Sequence, residues 1–157
     1  VGRDMNPKIA KYGKEILISK KYNDMKKYMQ HGNVSVLEHS LRVASASLQM
    51  EEFMKKLHIP FDERALVRGA LLHDYFLYDW HKAGTKYGLH GFTHPETAMR
   101  NASRDYVLSK REKDIIRQHM FPLTITKPPT SKEAFIVGCA DKWCSLVETI
   151  GHRGKHN

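Results

Sequence analysis

Histidine is the residue type through which this sequence first suggests chemistry, because the chain holds ten histidines in 157 residues. Imidazole is the commonest metal ligand in proteins and the usual acid–base group near neutral pH. Several of these histidines alternate along the chain with aspartates, and each predicted helix of the body carries one such residue or pair. The positions that stand out are His39, the adjacent pair His73-Asp74, His94, His119 and Asp141.

Asp141 is the most informative single residue of this set. It lies between the apolar segments 135–140 and 143–147, so we expect its carboxylate to be buried. An unpaired buried charge is energetically costly. A metal ion would remove that cost, and so would a salt bridge to an arginine such as Arg42. The sequence around Asp141 leaves both alternatives open.

The elements that must position these residues are predicted to be helices. Apolar residues recur with a helical period through most of the chain, and no segment alternates like a strand for more than a few residues. Capping boxes, in which a Ser or Thr pairs with a Glu three residues later, predict helix starts at 35–38, 93–96, 109–112 and 130–133. Asp62 is a further predicted N-cap. The last predicted helix is apolar through Ile136, Val137, Ala140, Trp143 and Leu146.

Composition and charge favour one globular domain with an anionic ligand. The length suits a single domain, no run of 18 apolar residues is present, and no secretory signal is recognisable, so we expect a cytoplasmic protein without membrane contact. Cys139 and Cys144 lie in one predicted helix and are expected to be free thiols. The net charge of +9 favours phosphorylated small molecules or nucleotides. Nucleic acid is the less expected partner, because no aromatic residues interleave with the lysine runs.

The order of the candidate ligands resembles the HD-domain superfamily of metal-dependent phosphohydrolases. Three segments carry the resemblance, and they are similar to the first, second and last family motifs: Glu38-His-Ser-Leu-Arg-Val-Ala44, Gly69-Ala-Leu-Leu-His-Asp74 and Ala140-Asp-Lys142. The resemblance covers residues 31–150. It implies an all-α, single-domain bundle of five or more helices around a central metal site. Residues 1–30 would be an N-terminal helical extension and 151–157 a flexible tail, with Met5 a candidate native start.

Two additional histidines make the chain similar to the dinuclear subset of this superfamily, which includes bacterial dinucleoside tetraphosphate hydrolases. Carried over residue by residue, Asp74 would bridge two metals, and the other ligands would divide into two sets: His39, His73 and Asp141 for one metal, His94 and His119 for the other. The resemblance implies one or two divalent or mixed-valent transition metals, with iron expected first, then manganese, zinc or nickel. His90 competes with His94, which lies at a predicted helix start.

Basic residues near the ligands are the predicted substrate contacts. Arg42 lies three residues after His39 on the same helix face, where it could pair with Asp141 or grip a phosphate and assist Asp74 in catalysis. The other candidates are lysines, which are equally well explained as solvated surface charges: Lys82, Lys86 and Lys142.

The sequence departs from a common family pattern directly after the His-Asp pair. Many relatives have a small residue, Gly and Lys there, whereas this chain has Tyr75-Phe-Leu-Tyr78. A familiar phosphate-binding lysine is therefore missing. The resemblance predicts the metal site better than it predicts the substrate.

The leading expectation is hydrolysis of a phosphate ester or anhydride, with a nucleotide as one candidate substrate, by a metal-bound hydroxide. Two alternatives belong to other classes. A few members of the dinuclear subset are iron oxygenases with nearly the same ligands. A basic helical module that binds nucleic acid without catalysis is the third reading. The sequence leaves the oligomeric state open.

Overall fold

A computed structural model describes the backbone of residues 5–31, 33–75, 87–122 and 126–154. Side chains are described for 5–28, 33–75, 95–122 and 126–151. The helices are α1 (Pro7–Leu17), α2 (Lys20–Asn23), α3 (Val36–Lys55), α4 (Glu63–Leu72), α5 (Tyr87–Asp105), α6 (Lys110–Gln118) and α7 (Lys132–Gly154). A 3₁₀-helix covers Asp24–Lys27, and two short strands are β1 (Met29–His31) and β2 (Val34–Ser35).

The architecture is all-α, as predicted. The two strands of the described chain form one small antiparallel pair immediately before α3. Strands of three and two residues are too short to leave an alternating pattern in a sequence. They are therefore an addition to the predicted fold and do not change its class.

Helix starts follow the predicted capping residues at three places. The side chain of Ser35 accepts a hydrogen bond from the backbone N–H of Glu38, and that of Asp62 accepts one from Ala65. Ser109 and Glu112 form a complete capping box, in which each side chain binds the backbone of the other. These local bonds satisfy N–H groups that the first turn of a helix leaves without partners.

Two predicted starts were wrong. The N-cap of α7 is Ser131, which accepts from the N–H of Ala134, while Thr130 binds Gln118 instead. The helix therefore starts one residue later than the box at 130–133 predicts. Helix α5 begins at Tyr87 and continues through Pro95. Proline favours a first turn but only kinks or weakens a helix that starts earlier, so it did not mark the helix start here.

Helix α4 lies at the centre of the bundle. All residues from Ala65 to Leu72 are buried, and α4 packs against α1, α3 and α6. Its one buried charge, Arg68, donates from Nε to Glu112 Oε1 of α6 at 2.6 Å. A paired and hydrogen-bonded guanidinium is the form in which a charge is tolerated in a core. This ion pair joins the middle of α4 to the first turn of α6.

Helix α7 buries the first part of its predicted apolar period but not the last part. Its buried residues include Val137, Ala140, Asp141, Cys144 and Glu148. Trp143 and Leu146, which continue the predicted apolar period, are instead 58% and 53% exposed. Apolar residues occur on both sides of this helix, so the period alone could not choose which side packs on the bundle.

Candidate metal centre

Four segments distant in sequence bring the central ligand candidates together. His39 lies in the first turn of α3, and Asp141 lies in the middle of α7. His73 is the C-cap residue of α4, with Asp74 directly after it, and His119 is the C-cap residue of α6. All five side chains are buried. The alternation of histidines and aspartates along the chain thus corresponds to one cluster in space.

The core of this cluster has the spacing of a metal site. One ligand atom from each of His39, His73, Asp74 and Asp141 lies within 4.8 Å of all the others. His39 Nε2 is 2.9 Å from Asp141 Oδ1, and His73 Nε2 is 3.4 Å from the same oxygen. Imidazole nitrogens and carboxylate oxygens packed this closely form a donor set suited to iron, manganese or zinc.

Asp74 faces two groups of imidazoles with its two oxygens. Its Oδ2 atom lies 3.2 Å from His73 Nε2 and 3.5 Å from His39 Nε2. Its Oδ1 atom lies 3.6 Å from Nε2 of His119. The rings of His73 and His119 meet edge to face, with centroids 4.9 Å apart. Asp74 thus presents one oxygen to His73 and His39 and the other to His119.

The other nitrogen of each imidazole faces a hydrogen-bond acceptor. Nδ1 of His73 donates to the carbonyl of Ala70 at 2.6 Å, and Nδ1 of His119 donates to that of Ile116 at 2.7 Å. Both carbonyls belong to last helical turns, where backbone oxygens lack helical partners. Because Nδ1 keeps its proton, Nε2 is the nitrogen left to bind a metal.

His39 differs in that a carboxylate accepts its Nδ1 proton. Nδ1 of His39 lies 2.8 Å from Glu148 Oε2 and 3.1 Å from Oε1. The Glu148 side chain is fully buried. Sequence reasoning missed this residue. The available signal was its position seven residues after Asp141, which places both carboxylates on one face of α7 two turns apart.

The buried carboxylates of the cluster change the pKa values of its histidines. Burial opposes protonation of His39, but hydrogen bonds to Asp141 and Glu148 outweigh it and raise the pKa of His39 to about 9. Burial also opposes protonation of His73, yet the charges of Asp74 and Asp141 raise its pKa well above the ordinary value. Burial dominates at His119 and lowers its pKa.

Asp141 is held in its charged form by the same contacts. Burial works against ionisation, but the hydrogen bond from His39 and the neighbouring His73 keep the pKa of Asp141 below its usual range. The carboxylate is therefore available as a ligand at any pH near neutrality.

One atom shows that the residues present fit a metal. Nε2 of His73 is buried and makes no hydrogen bond to the residues that the structure describes, although two carboxylate oxygens lie near it. A buried polar atom without a hydrogen bond is uncommon and calls for an explanation such as a bound ion. Its carboxylate neighbours have the chemistry of a metal-binding donor set.

Comparison with known families agrees with this geometry. A family model described as HD domain matches residues 36–145. The chain belongs to the HD domain family. No curated protein and no solved structure matches the chain. The match begins at the first residue of α3 and ends within α7, so it spans every segment that contributes to the cluster of this HD domain.

The remaining predicted site residues lie in different situations. Arg42 does not pair with Asp141 among the described contacts; its Nη1 atom is 3.8 Å from Glu148 and its Nη2 atom 3.7 Å from Glu38. Lys142 donates to the backbone carbonyls of His119 and Gly138, both at 3.2 Å. The side chain of His94 is outside the described residues, although its backbone belongs to α5, and Lys82 and Lys86 are also outside them.

Tyr75, which departs from the family pattern, has a structural explanation. It is buried directly after the His-Asp pair, and its hydroxyl donates to Asp105 of α5 at 2.8 Å. Its ring stacks near Tyr22, whose hydroxyl donates to the carbonyl of Leu71 in α4. These aromatic residues anchor the chain on both sides of His73-Asp74.

None of the described helices is long and apolar enough to cross a membrane.

Proposed function

We propose that this HD domain is a metal-dependent phosphohydrolase that acts on a phosphate ester or anhydride, with a nucleotide as the leading substrate class. The observation that carries the proposal is the convergence of three buried imidazoles on the two oxygens of Asp74. Structural ion pairs do not need three imidazoles whose Nδ1 atoms are all engaged elsewhere. Membership of the HD family supports the same chemistry.

We further propose that the site holds two metals, because His119 faces the second oxygen of Asp74. His39, His73 and Asp141 would hold one metal, His119 and the predicted ligand His94 would hold the second, and Asp74 would bridge them. Such metals, with iron first and then manganese, zinc or nickel, supply Lewis acidity and lower the pKa of water. This ligand distribution is the basis for proposing likeness to dinucleoside tetraphosphate hydrolases.

Arg42 is the proposed phosphate contact among the described residues. Its guanidinium is about half exposed and lies 3.8 Å from Glu148, on the outer side of the cluster. A planar guanidinium can bind two phosphate oxygens at once, which a lysine cannot do. Lys142 has a weaker case, because its ammonium group already binds carbonyls at the end of α6. Lys82 and Lys86 remain proposed contacts from sequence alone.

The anionic substrate class follows from charge. The net charge of +9 creates a field that favours approach of phosphates. A buried site rich in carboxylates would repel such a substrate without bound cations. The proposal therefore requires that activity and metal content rise and fall together.

Metal analysis combined with phosphate release tests the proposal. We expect two transition metals per purified chain and anaerobic release of phosphate or nucleotide from dinucleoside polyphosphates. His73→Ala and Asp74→Ala should lose metal and activity together, whereas His119→Ala should keep one metal. His58→Asn is a matched control, because His58 is exposed and has a left-handed backbone (φ 60°) that asparagine tolerates.

Three outcomes would overturn the proposal. The first outcome is that the purified chain contains no transition metal, or that His73→Ala and Asp74→Ala both keep the wild-type metal content. Either result would show that the proposed metal centre is absent. Oxygen consumption with a phosphonate or polyol, and no phosphate release, would identify an oxygenase on the same ligands. Salt-sensitive DNA binding that needs no metal, without hydrolysis, would identify a nucleic-acid module.

A further inference from the structure

Glu148 is a second buried glutamate of α7, and its position is unlike that of the first. The first, Glu133, accepts a hydrogen bond from the backbone N–H of Asp62 and so ties α7 to the start of α4. Glu148 instead places both carboxylate oxygens within 3.1 Å of one imidazole nitrogen, Nδ1 of His39. It touches the metal cluster only through that histidine among its described contacts.

Burial makes the charge of this carboxylate energetically costly unless that charge takes part in a favourable interaction. The Glu148 side chain has no solvent exposure, and besides His39 its described ion pair is with Arg42, whose Nη1 lies 3.8 Å away. That distance is longer than a hydrogen bond. A neutral acceptor would satisfy Nδ1 of His39 equally well in geometry, as the carbonyls of Ala70 and Ile116 do for His73 and His119.

We infer that Glu148 is a positioning residue for His39: it keeps the proton on Nδ1, fixes the plane of the ring and makes Nε2 a stronger metal donor than a carbonyl partner would. Carboxylate partners of ligating histidines act in this way generally, and their loss reduces metal affinity roughly 10- to 100-fold. The inference rests on the proposed function, because it concerns the metal that His39 would hold.

Zn²⁺ affinity, measured by competition with chelators on the full chain, tests this role without any assay of activity. Glu148→Gln keeps the shape of the side chain and should weaken Zn²⁺ binding by about 10-fold or more, and Glu148→Ala by more still. Glu133→Gln is the matched control, since it removes a buried charge from the same helix. We expect it to change thermal stability but leave Zn²⁺ affinity unchanged.

A double-mutant cycle separates positioning from general damage to the fold. If Glu148 acts through His39, then Glu148→Gln should have no further effect on Zn²⁺ affinity in a His39→Ala background. The role would be overturned if Glu148→Gln reduced Zn²⁺ affinity equally in the wild-type and His39→Ala backgrounds. It would also be overturned if Glu133→Gln reduced Zn²⁺ affinity as much as Glu148→Gln does. Wild-type affinity retained by both Glu148 variants would overturn it too. Absence of Zn²⁺ binding by the wild-type chain would instead refute the proposed metal centre itself.

Discussion

At the scale of single residues, the cluster is a site where protons and metals compete for the same atoms. His39 donates through Nδ1 to Glu148 and faces Asp141 through Nε2, so both nitrogens are protonated when no metal is bound. A metal takes the place of the Nε2 proton, so its binding releases protons and strengthens as pH rises. The carboxylates that attract the metal also attract the proton it must displace.

This competition predicts how the stability of metal-free protein depends on pH. The pKa of His39 is raised from 6.5 to about 9 and that of His73 is also raised, so their contribution is fully present below pH 6.5. It is lost as pH rises through about 9. The lowered pKa of His119 adds no change above pH 6.5. We therefore expect the free energy of unfolding of chelator-treated protein to fall steadily from pH 6.5 to 8.5.

Urea titrations at several pH values within that range measure the effect. The range stays below pH 9, the ordinary pKa of a cysteine thiol, and burial raises the pKa of Cys144 in the folded chain to about 11. His39→Asn should flatten much of the slope, because asparagine does not titrate, while His73 accounts for the remainder. A wild-type stability that is constant or rises toward pH 8.5 would contradict the prediction.

The sequence identified the ligands better than their partners. His39, His73, Asp74 and Asp141 could be predicted because unusual residue types occur in a recognisable order, and the structure brings them together. Glu148 was missed because its contact with His39 joins residues 109 positions apart. A glutamate near the end of a helix is usually a solvated charge, and the local signal was limited to its position seven residues after Asp141, on the same face of α7.

At the scale of elements, the site depends on how closely α4 approaches α6. Gly69 lies in the middle of α4, where a Cβ atom would stand 2.6 Å from Cγ2 and 2.9 Å from Cβ of Ile115. Contact at that distance requires backbone movement, because Cβ of Ile115 is fixed to α6. Gly69 therefore sets the helix separation that places His73 beside His119.

Gly69→Ala should consequently destabilise the protein although alanine is the better helix former. The gain in helix propensity is about 1 kcal/mol, and overpacking costs about 1–3 kcal/mol. Contacts under 3 Å with Ile115 place this substitution toward the upper end of that cost, so we expect a net loss of up to about 2 kcal/mol in urea unfolding. Gly151→Ala is the control, because open space surrounds its Cβ position. An equal or higher stability of Gly69→Ala would show that the helices are free to separate.

Helix starts were predictable where a local bond determines them. Ser109 and Glu112 lie three residues apart, and the side chain of each accepts a hydrogen bond from the backbone N–H of the other. Their residue types alone therefore predict the start of α6. The start of α5 and the inward face of α7 depend on packing against distant elements. Trp143 shows this. It follows the apolar period of α7 but is exposed, because the side of α7 that carries Asp141 and Glu148 faces the bundle.

At the scale of the whole molecule, the ligands come from the end of α4 and from three helices that pack against it, α3, α6 and α7. Contacts such as that between His39 and Asp141 join residues 102 positions apart. A metal at this point would connect α3, the ends of α4 and α6, and α7, all of which separate on unfolding. The all-α bundle was predictable from periodicity and family resemblance, but the two-stranded hairpin was not.

Metal removal should therefore weaken the entire fold. A metal that binds only the folded chain raises the free energy of unfolding by about 2.7 kcal/mol at a concentration 100 times its Kd. For a domain of this size, that corresponds to a rise in Tm of roughly 5–10 °C. Thermal scans of chelator-treated protein with increasing Zn²⁺ or Mn²⁺ should show this rise, and His73→Ala should abolish it because Nε2 of His73 is central to the cluster. A metal-dependent rise of equal size in His73→Ala would place the binding elsewhere on the chain.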